Sequence, residues 1–114
     1  MKDSVSGCPV EESMRVLGGR WRMVLIYYLL KGPMRFNALR REIPAISQRM
    51  LTLELRALED AGLVLRTVYP EVPVKVVYEL TAEGRRLDAL VTMLTEVGER
   101  LAASAPAREA PAAA

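Results

Sequence analysis

Apolar residues recur every three or four positions over most of the chain, which is the spacing of an amphipathic helix. A first helix is predicted over "PVEESMRVL" at 9–17, because Pro9 suits a first helical position and acidic residues follow it. Gly18 and Gly19 then end this helix. A second helix, almost wholly apolar and therefore central to the core, is predicted over about 21–30.

Two further helices with a very short turn between them are predicted next. The segment "RFNALRREI" at 35–43 has helical apolar spacing, and Pro44 ends it. Soon afterwards comes Ser47, whose hydroxyl can accept a backbone N–H and begin a helix that continues to about residue 61, where Gly62 ends it. Because so short a connection makes the two helices cross at a steep angle, residues 35–61 are predicted to form a helix-turn-helix.

The second of these helices has two chemically different faces. Leu51, Leu55, Leu58 and Ala61 lie on one side, and hydrogen-bond donors project from the other. An ordinary amphipathic helix also has a polar face, but here donors predominate and a basic helix precedes them. Arginine can fork onto guanine, glutamine onto adenine, and threonine offers a methyl group to thymine. We therefore predict that this face contacts DNA through Ser47, Gln48, Arg49, Thr52 and Arg56.

From residue 63 the apolar spacing changes from helical to alternating. The segments "LVLRTVY" and "VKVVYEL" flank "PEVP", which predicts a two-stranded hairpin over 63–80 with a stiffened four-residue tip. A helix-turn-helix followed by a hairpin is the order of a winged helix. Lys75 and Arg66 are candidate phosphate contacts, although charged residues serve equally well to protect an edge strand.

A long C-terminal helix is predicted over 81–104, with Thr81 as its N-cap. About two dozen helical residues would extend roughly 36 Å, which is longer than a small domain needs to cover its own core. A second copy of the chain is the economical partner for its apolar stripe, and packing onto the first helix of the same chain is the alternative. The stripe consists of Leu87, Leu90, Val91, Leu94, Val97 and Leu101.

The 114 residues carry a formal net charge of +2, but the charge is distributed unevenly. The formal charge is −2 over residues 1–12, +7 over 13–56 and −3 over 57–114. The positive segment contains the predicted helix-turn-helix. A local positive field of this kind attracts a polyanion even when the whole molecule is nearly neutral, although solvated arginines alone would give the same count.

Several function classes lose support from the residues that the sequence lacks. It has no histidine and one cysteine, Cys8, which leaves no ordinary zinc site and no intramolecular disulfide. We see no glycine-rich phosphate loop and no acidic pair, so we expect neither an enzyme nor a cofactor. The longest apolar run, at 23–30, is too short to span a bilayer, and the N-terminus has no secretory apolar region. We expect a cytoplasmic protein without a membrane partner.

The order of these motifs resembles the HxlR-type family of bacterial winged-helix regulators, which is related in shape to MarR-type regulators. The resemblance runs from Cys8 to about Leu101, and its landmarks are "GGRW", "RFNALRREIPAISQRMLT", "LEDAGLV" and "VYPEVPVKVVYELT". The family implies a mainly α winged helix-turn-helix with a small β-hairpin wing, flanked by N- and C-terminal dimerisation helices. It also implies that Arg35 contacts the DNA backbone, and it places Val10 and Met14 on a dimerisation helix.

The resulting expectation is a homodimeric repressor that binds double-stranded DNA at an inverted-repeat operator. We place the domain at residues 8–104, with a flexible N-terminus at 1–7 and a disordered tail at 105–114. One alternative is a winged-helix module that binds another protein. Another is a regulator that senses oxidants or electrophiles through Cys8, or an unknown small-molecule effector, although a buried structural cysteine is the commoner role for such a residue.

Overall fold

A computed structural model of the protein describes residues 7–104. Most of these residues are helical, and a small antiparallel sheet follows the fourth helix, as the apolar spacing predicts. The elements in chain order are α1 (Pro9–Leu17), α2 (Arg22–Leu29), β1 (Met34–Arg35), α3 (Phe36–Glu42), α4 (Gln48–Asp60), β2 (Val64–Tyr69), β3 (Lys75–Leu80), α5 (Ala82–Arg85) and α6 (Asp88–Ser104).

The core is formed by apolar side chains from α2, α3 and α4. Leu25 and Ile26 of α2 are fully buried, in agreement with the prediction of a central second helix. Leu39 of α3 and the three leucines of the inner face of α4 complete this layer. Removing this apolar surface from water supplies the main favourable term for folding, and it fixes which face of α4 remains outside.

The sheet contains one more strand than the predicted hairpin. Strands β2 and β3 pair as expected, with Val64 opposite Leu80 and Tyr69 opposite Lys75. Strand β1 pairs with the other edge of β3, so the strand order is β1-β3-β2. Two residues are too few to show an alternating pattern, so β1 could not be predicted from apolar spacing.

Both ends of α4 have the caps that the sequence predicts. The Ser47 hydroxyl accepts a hydrogen bond from the Met50 N–H at 3.0 Å. At the other end Gly62 has φ +80°, a left-handed conformation that glycine adopts at little cost because it has no Cβ atom. The Gly62 N–H donates to the Glu59 carbonyl and the Leu63 N–H to the Leu58 carbonyl, each at 3.0 Å, which is a Schellman motif.

The predicted continuous helix over 81–104 is wrong in one respect, because it is divided at Arg86 and Leu87. Thr81 does cap the first piece, accepting a hydrogen bond from the Gly84 N–H at 3.0 Å. The Arg86 and Leu87 N–H groups then bond to carbonyls only three residues back. As a result α6 has 17 residues and a length of about 25 Å, and not the 36 Å expected for one unbroken helix.

Other predictions concern residues that the structure does not describe. The expected flexible N-terminus, apart from Gly7, and the expected disordered tail at 105–114 lie outside the described residues. Within residues 7–104, no helix is both long and apolar enough to cross a membrane.

Candidate nucleic-acid interface

The outer face of α4 carries the side chains that were predicted to contact DNA. Gln48, Arg49, Thr52 and Arg56 are exposed, whereas Leu51, Leu55 and Leu58 on the opposite side of the helix are at most 1 % exposed. Ser47 is also exposed, but its hydroxyl caps the helix. The Thr52 hydroxyl donates to the Gln48 carbonyl at 3.0 Å, which leaves the threonine methyl group and the hydroxyl lone pairs for an outside partner.

The turn before α4 is held by buried isoleucines. Ile43 is 6 % and Ile46 is 2 % exposed, and the Ile46 N–H donates to the Ile43 carbonyl at 3.1 Å. Pro44 and Ala45, which lie between them, are exposed. Because both ends of this short turn are anchored in the core, the start of α4 is fixed relative to α3, as the reading of base edges in a groove requires.

Arg35 lies where the helix-turn-helix meets the sheet. Its backbone pairs with Val77 of β3, and it is also the residue that precedes α3. Its side chain is exposed at the start of α3. Strand β1, which was not predicted, therefore sets the position of Arg35, which was predicted to contact the DNA backbone.

The wing lies next to α4, since β2 packs against that helix. Lys75 forms the last strand pair before the tip, and its ammonium nitrogen lies 5.1 Å from the centre of the Tyr69 ring. Arg66 is exposed in the middle of β2. The tip at 70–74 has five residues, one more than predicted, and it carries Glu71 and no basic residue. Positive charge is thus available on the wing strands and not at the tip.

The two helices expected to dimerise, α1 and α6, expose apolar side chains, but not all of those that were predicted. Val10 and Met14 of α1 are 66 % and 54 % exposed, and Leu94 of α6 is 44 % exposed. Val91 is instead buried in the core of its own chain, and Leu87 packs against that core. The stripe therefore divides into an inner pair and an outer row, and the outer row consists of Leu90, Leu94, Val97 and Leu101, with Met93 beside it.

A shallow cavity of about 340 Å³ lies between α2 and α6. Its walls are mainly apolar or aromatic, from Met23, Tyr27, Tyr28 and Leu94 among others. A site for an unknown effector at this position remains a prediction. Within residues 7–104, no three His, Cys, Asp or Glu side chains lie close enough together to hold a metal ion.

Comparison with known proteins decides which family this geometry belongs to. A family model described as HxlR-like helix-turn-helix matches residues 16–105. The chain belongs to this family. As an HxlR-like helix-turn-helix protein it is a DNA-binding transcriptional regulator, which confirms this part of the expected function.

Relatives and solved structures agree with this assignment. The HxlR-like chain is 52% identical over 93 residues to the HTH-type transcriptional regulator YybR of Bacillus subtilis (strain 168), a match that covers 82% of this chain and 74% of YybR. The redox regulator HypR in its oxidized form has a TM-score of 0.79 and 50% identity, covering 82% of this chain and 96% of that one. The reduced form of the regulator YodB from B. subtilis has a TM-score of 0.71 and 41% identity, covering 82% and 92%.

Cys8 of the HxlR-like chain lies immediately before α1, as its N-cap residue. Its side chain is exposed in the single chain. Its carbonyl accepts the Glu12 N–H at 3.2 Å. The hydrogen bond and positive charge of Arg15 hold the pKa of the Glu12 carboxyl below its ordinary value, and the same contact raises the pKa of Arg15.

Proposed function

We propose that this HxlR-like protein binds an inverted-repeat operator as a homodimer and represses transcription from it. Arg49, Gln48 and Thr52 contact base edges in the major groove. Arg35, Arg56 and Lys75 bind phosphates, and Ser47 fixes the first turn of the helix between them. A regulator with this ligand acts in the cytoplasm, and it acts by binding and not by catalysis.

One observation carries this proposal. In α4 a fully buried leucine face fixes the helix in the core, while the opposite face exposes Arg49, Thr52 and Arg56 to solvent. Such a helix has the backbone positions of its hydrogen-bonding residues fixed before any ligand arrives, which lowers the ordering cost of binding. Arginine, glutamine and threonine are also the residue types that distinguish base pairs in the major groove.

The experiment that tests it is enrichment of bound duplexes from a random pool, followed by titration of the enriched sequence at two salt concentrations. We expect enrichment of an inverted repeat. A protein that makes six or more phosphate contacts should lose roughly a thousandfold or more in affinity between 50 and 200 mM salt. Binding that shows neither enrichment nor a steep salt dependence would instead favour a winged helix that binds another protein.

Homodimer formation is supported by the exposed apolar side chains of α1 and α6. Met14 and Leu101 are more than half exposed in the single chain, and burial of such side chains would stabilise a dimer. Repression follows if a dimer on the operator covers DNA that RNA polymerase needs. Transcription in vitro from a promoter that contains the operator should therefore fall as protein is added, whereas an increase would identify an activator.

Sensing through Cys8 is a second candidate function, and exposure of the residue at the start of α1 favours it. HypR, a similar protein, is a redox regulator. We expect mild oxidant to change operator affinity in the wild-type protein and not in Cys8→Ser. An identical response in both proteins would exclude Cys8 as the sensor.

A further inference from the structure

One partly buried basic side chain, Arg22, connects three helices. Arg22 is the first residue of α2. Its Nε donates to Oε1 of Glu54 in α4 at 2.6 Å, and its Nη1 donates to the Val16 carbonyl in α1 at 2.8 Å. The side chains of Arg22 and Glu54 are only 26% and 19% exposed. A planar guanidinium holds two acceptors in a fixed relative geometry, and partial burial shields this ion pair from salt.

Glu54 lies on the inner side of α4, away from the predicted DNA contacts. At about 100° per residue, it is roughly 160° around the helix axis from Arg56. The leucines on this side hold α4 in the core by apolar contact, which has no directional preference. The hydrogen bond between Arg22 and Glu54 is directional. It therefore fixes how far α4 is rotated about its own axis, and with it the direction of Arg49 and Thr52.

The other end of this connection is a helix with little attachment to the core. Leu17 is the one buried residue of α1, whereas Val10 and Met14 are exposed. The bond from Arg22 to the Val16 carbonyl consequently adds a polar attachment to the apolar packing of Val16 and Leu17 at the C-terminal end of α1. A displacement of α1 moves this acceptor, and the shared guanidinium passes the movement to Glu54.

We propose that Arg22 is a positioning residue that couples α1 to the rotation of α4, so that the state of α1 sets the affinity for the operator. This inference rests on the proposed function, because it requires α4 to contact DNA. It names a physical route between the two helices, in which one side chain is bonded to both. The exposed face of α4 would not provide a route between α1 and α4, and the outer row of α6 would not provide one either.

The first test compares Glu54→Gln with Glu59→Gln. Glu59 is exposed on the same helix, so both variants remove one negative charge from α4. Removing that charge alone strengthens binding to all DNA alike. We expect the ratio of operator to random-DNA affinity to fall about tenfold in Glu54→Gln and to stay within twofold of wild type in Glu59→Gln. Arg22→Lys, which keeps the charge but lacks the fork, should resemble Glu54→Gln.

A purely structural role for Arg22 predicts a different result. In that case Glu54→Gln would lower the midpoint of thermal unfolding, while the affinity ratio measured well below this midpoint would equal that of Glu59→Gln. That outcome would overturn the proposal. If the wild-type protein binds no DNA, it is the proposed function that fails.

The second test measures the coupling by amide hydrogen exchange. The Gly18 N–H bonds to the Met14 carbonyl at the end of α1, far along the chain from α4. We expect operator binding to slow exchange in this segment of the wild-type protein, and to do so much less in Glu54→Gln at a saturating operator concentration. Equal slowing in both proteins, or none in the wild type, would show that α1 and α4 are not coupled.

Discussion

Arg49 is the side chain on α4 whose chemistry distinguishes bases most strongly, because it can donate two parallel hydrogen bonds to guanine. It is exposed in the first turns of the helix. We expect Arg49→Ala to weaken operator binding by about 1–3 kcal/mol and to relax the preference at one base pair. The measurement is a titration against the operator and against each of its single base-pair variants.

The matched control for this substitution is Arg40→Ala. Arg40 is equally charged and exposed, but it lies on α3. An arginine that contacts only phosphate contributes to the affinity for every sequence, so this variant should weaken operator and random DNA alike. If Arg49→Ala also weakened both equally, Arg49 would have no part in reading bases.

Individual residues show where sequence patterns stop being informative. The inward leucines of α4 and its Ser47 cap were predictable, since helical periodicity and capping depend on neighbouring residues. Glu54 did not fit the pattern, and its partner Arg22 lies 32 residues earlier, so only the folded chain brings them together. Ala61, expected on the buried side, is the exposed C-cap residue. Leu53 is 47% exposed, and nothing in the structure explains it.

At the scale of elements, α5 lies close to the segment that follows α4, through the approach of Gly84 to Leu63. A Cβ atom at Gly84 would lie 2.2 Å from the Leu63 carbonyl oxygen, which is backbone and cannot move aside cheaply. Gly84→Ala should therefore lower the free energy of unfolding by about 1–3 kcal/mol, the usual cost of overpacking. Denaturant unfolding of wild type and variant measures this difference.

For Gly98, in α6, we expect alanine substitution to have the opposite effect on stability. It lies inside α6, and a Cβ atom there would meet nothing within 4 Å. Since alanine is favoured over glycine in a helix interior, Gly98→Ala should raise the free energy of unfolding by about 0.5–1 kcal/mol. Equal effects of the two substitutions would mean that the Gly84 contact does not constrain the chain.

Elements with a sustained pattern were predictable, and those created by tertiary contact were not. Helices α1 to α4 and the hairpin follow from apolar spacing, proline positions and caps. Strand β1 pairs with the free edge of β3, and α5 is placed by the packing of Gly84 on Leu63. Both depend on contacts between residues distant in the sequence, and a local apolar pattern does not indicate such contacts.

At the scale of the whole molecule, the outer row of α6 is the surface proposed to join two copies. A charge in this row would have to be buried in the interface without a partner, which is strongly unfavourable. Leu94→Glu should therefore shift the protein from dimer to monomer in sedimentation experiments. Ala89→Glu places the same charge on an exposed position of α6 away from the row and should leave the dimer intact.

Leu94 also lines the cavity beside α2, so the variant must be shown to fold. A helical circular dichroism spectrum like that of the wild type would show this. A dimer that persisted in a folded Leu94→Glu protein would remove the outer row from the interface.

A symmetric dimer imposes a spacing on its operator. Two copies of α4 related by a twofold axis enter successive major grooves, so the half-sites should lie about 10–10.5 base pairs apart. Inserting five base pairs between them rotates one half-site by about half a turn to the far side of the duplex. Only one copy of α4 can then bind, and the affinity should fall to nearly that of a single half-site. Inserting ten base pairs instead returns both half-sites to the same side of the duplex. If the five-base-pair insertion bound as tightly as the operator, the two helices would not be rigidly joined, and each copy would recognise DNA alone.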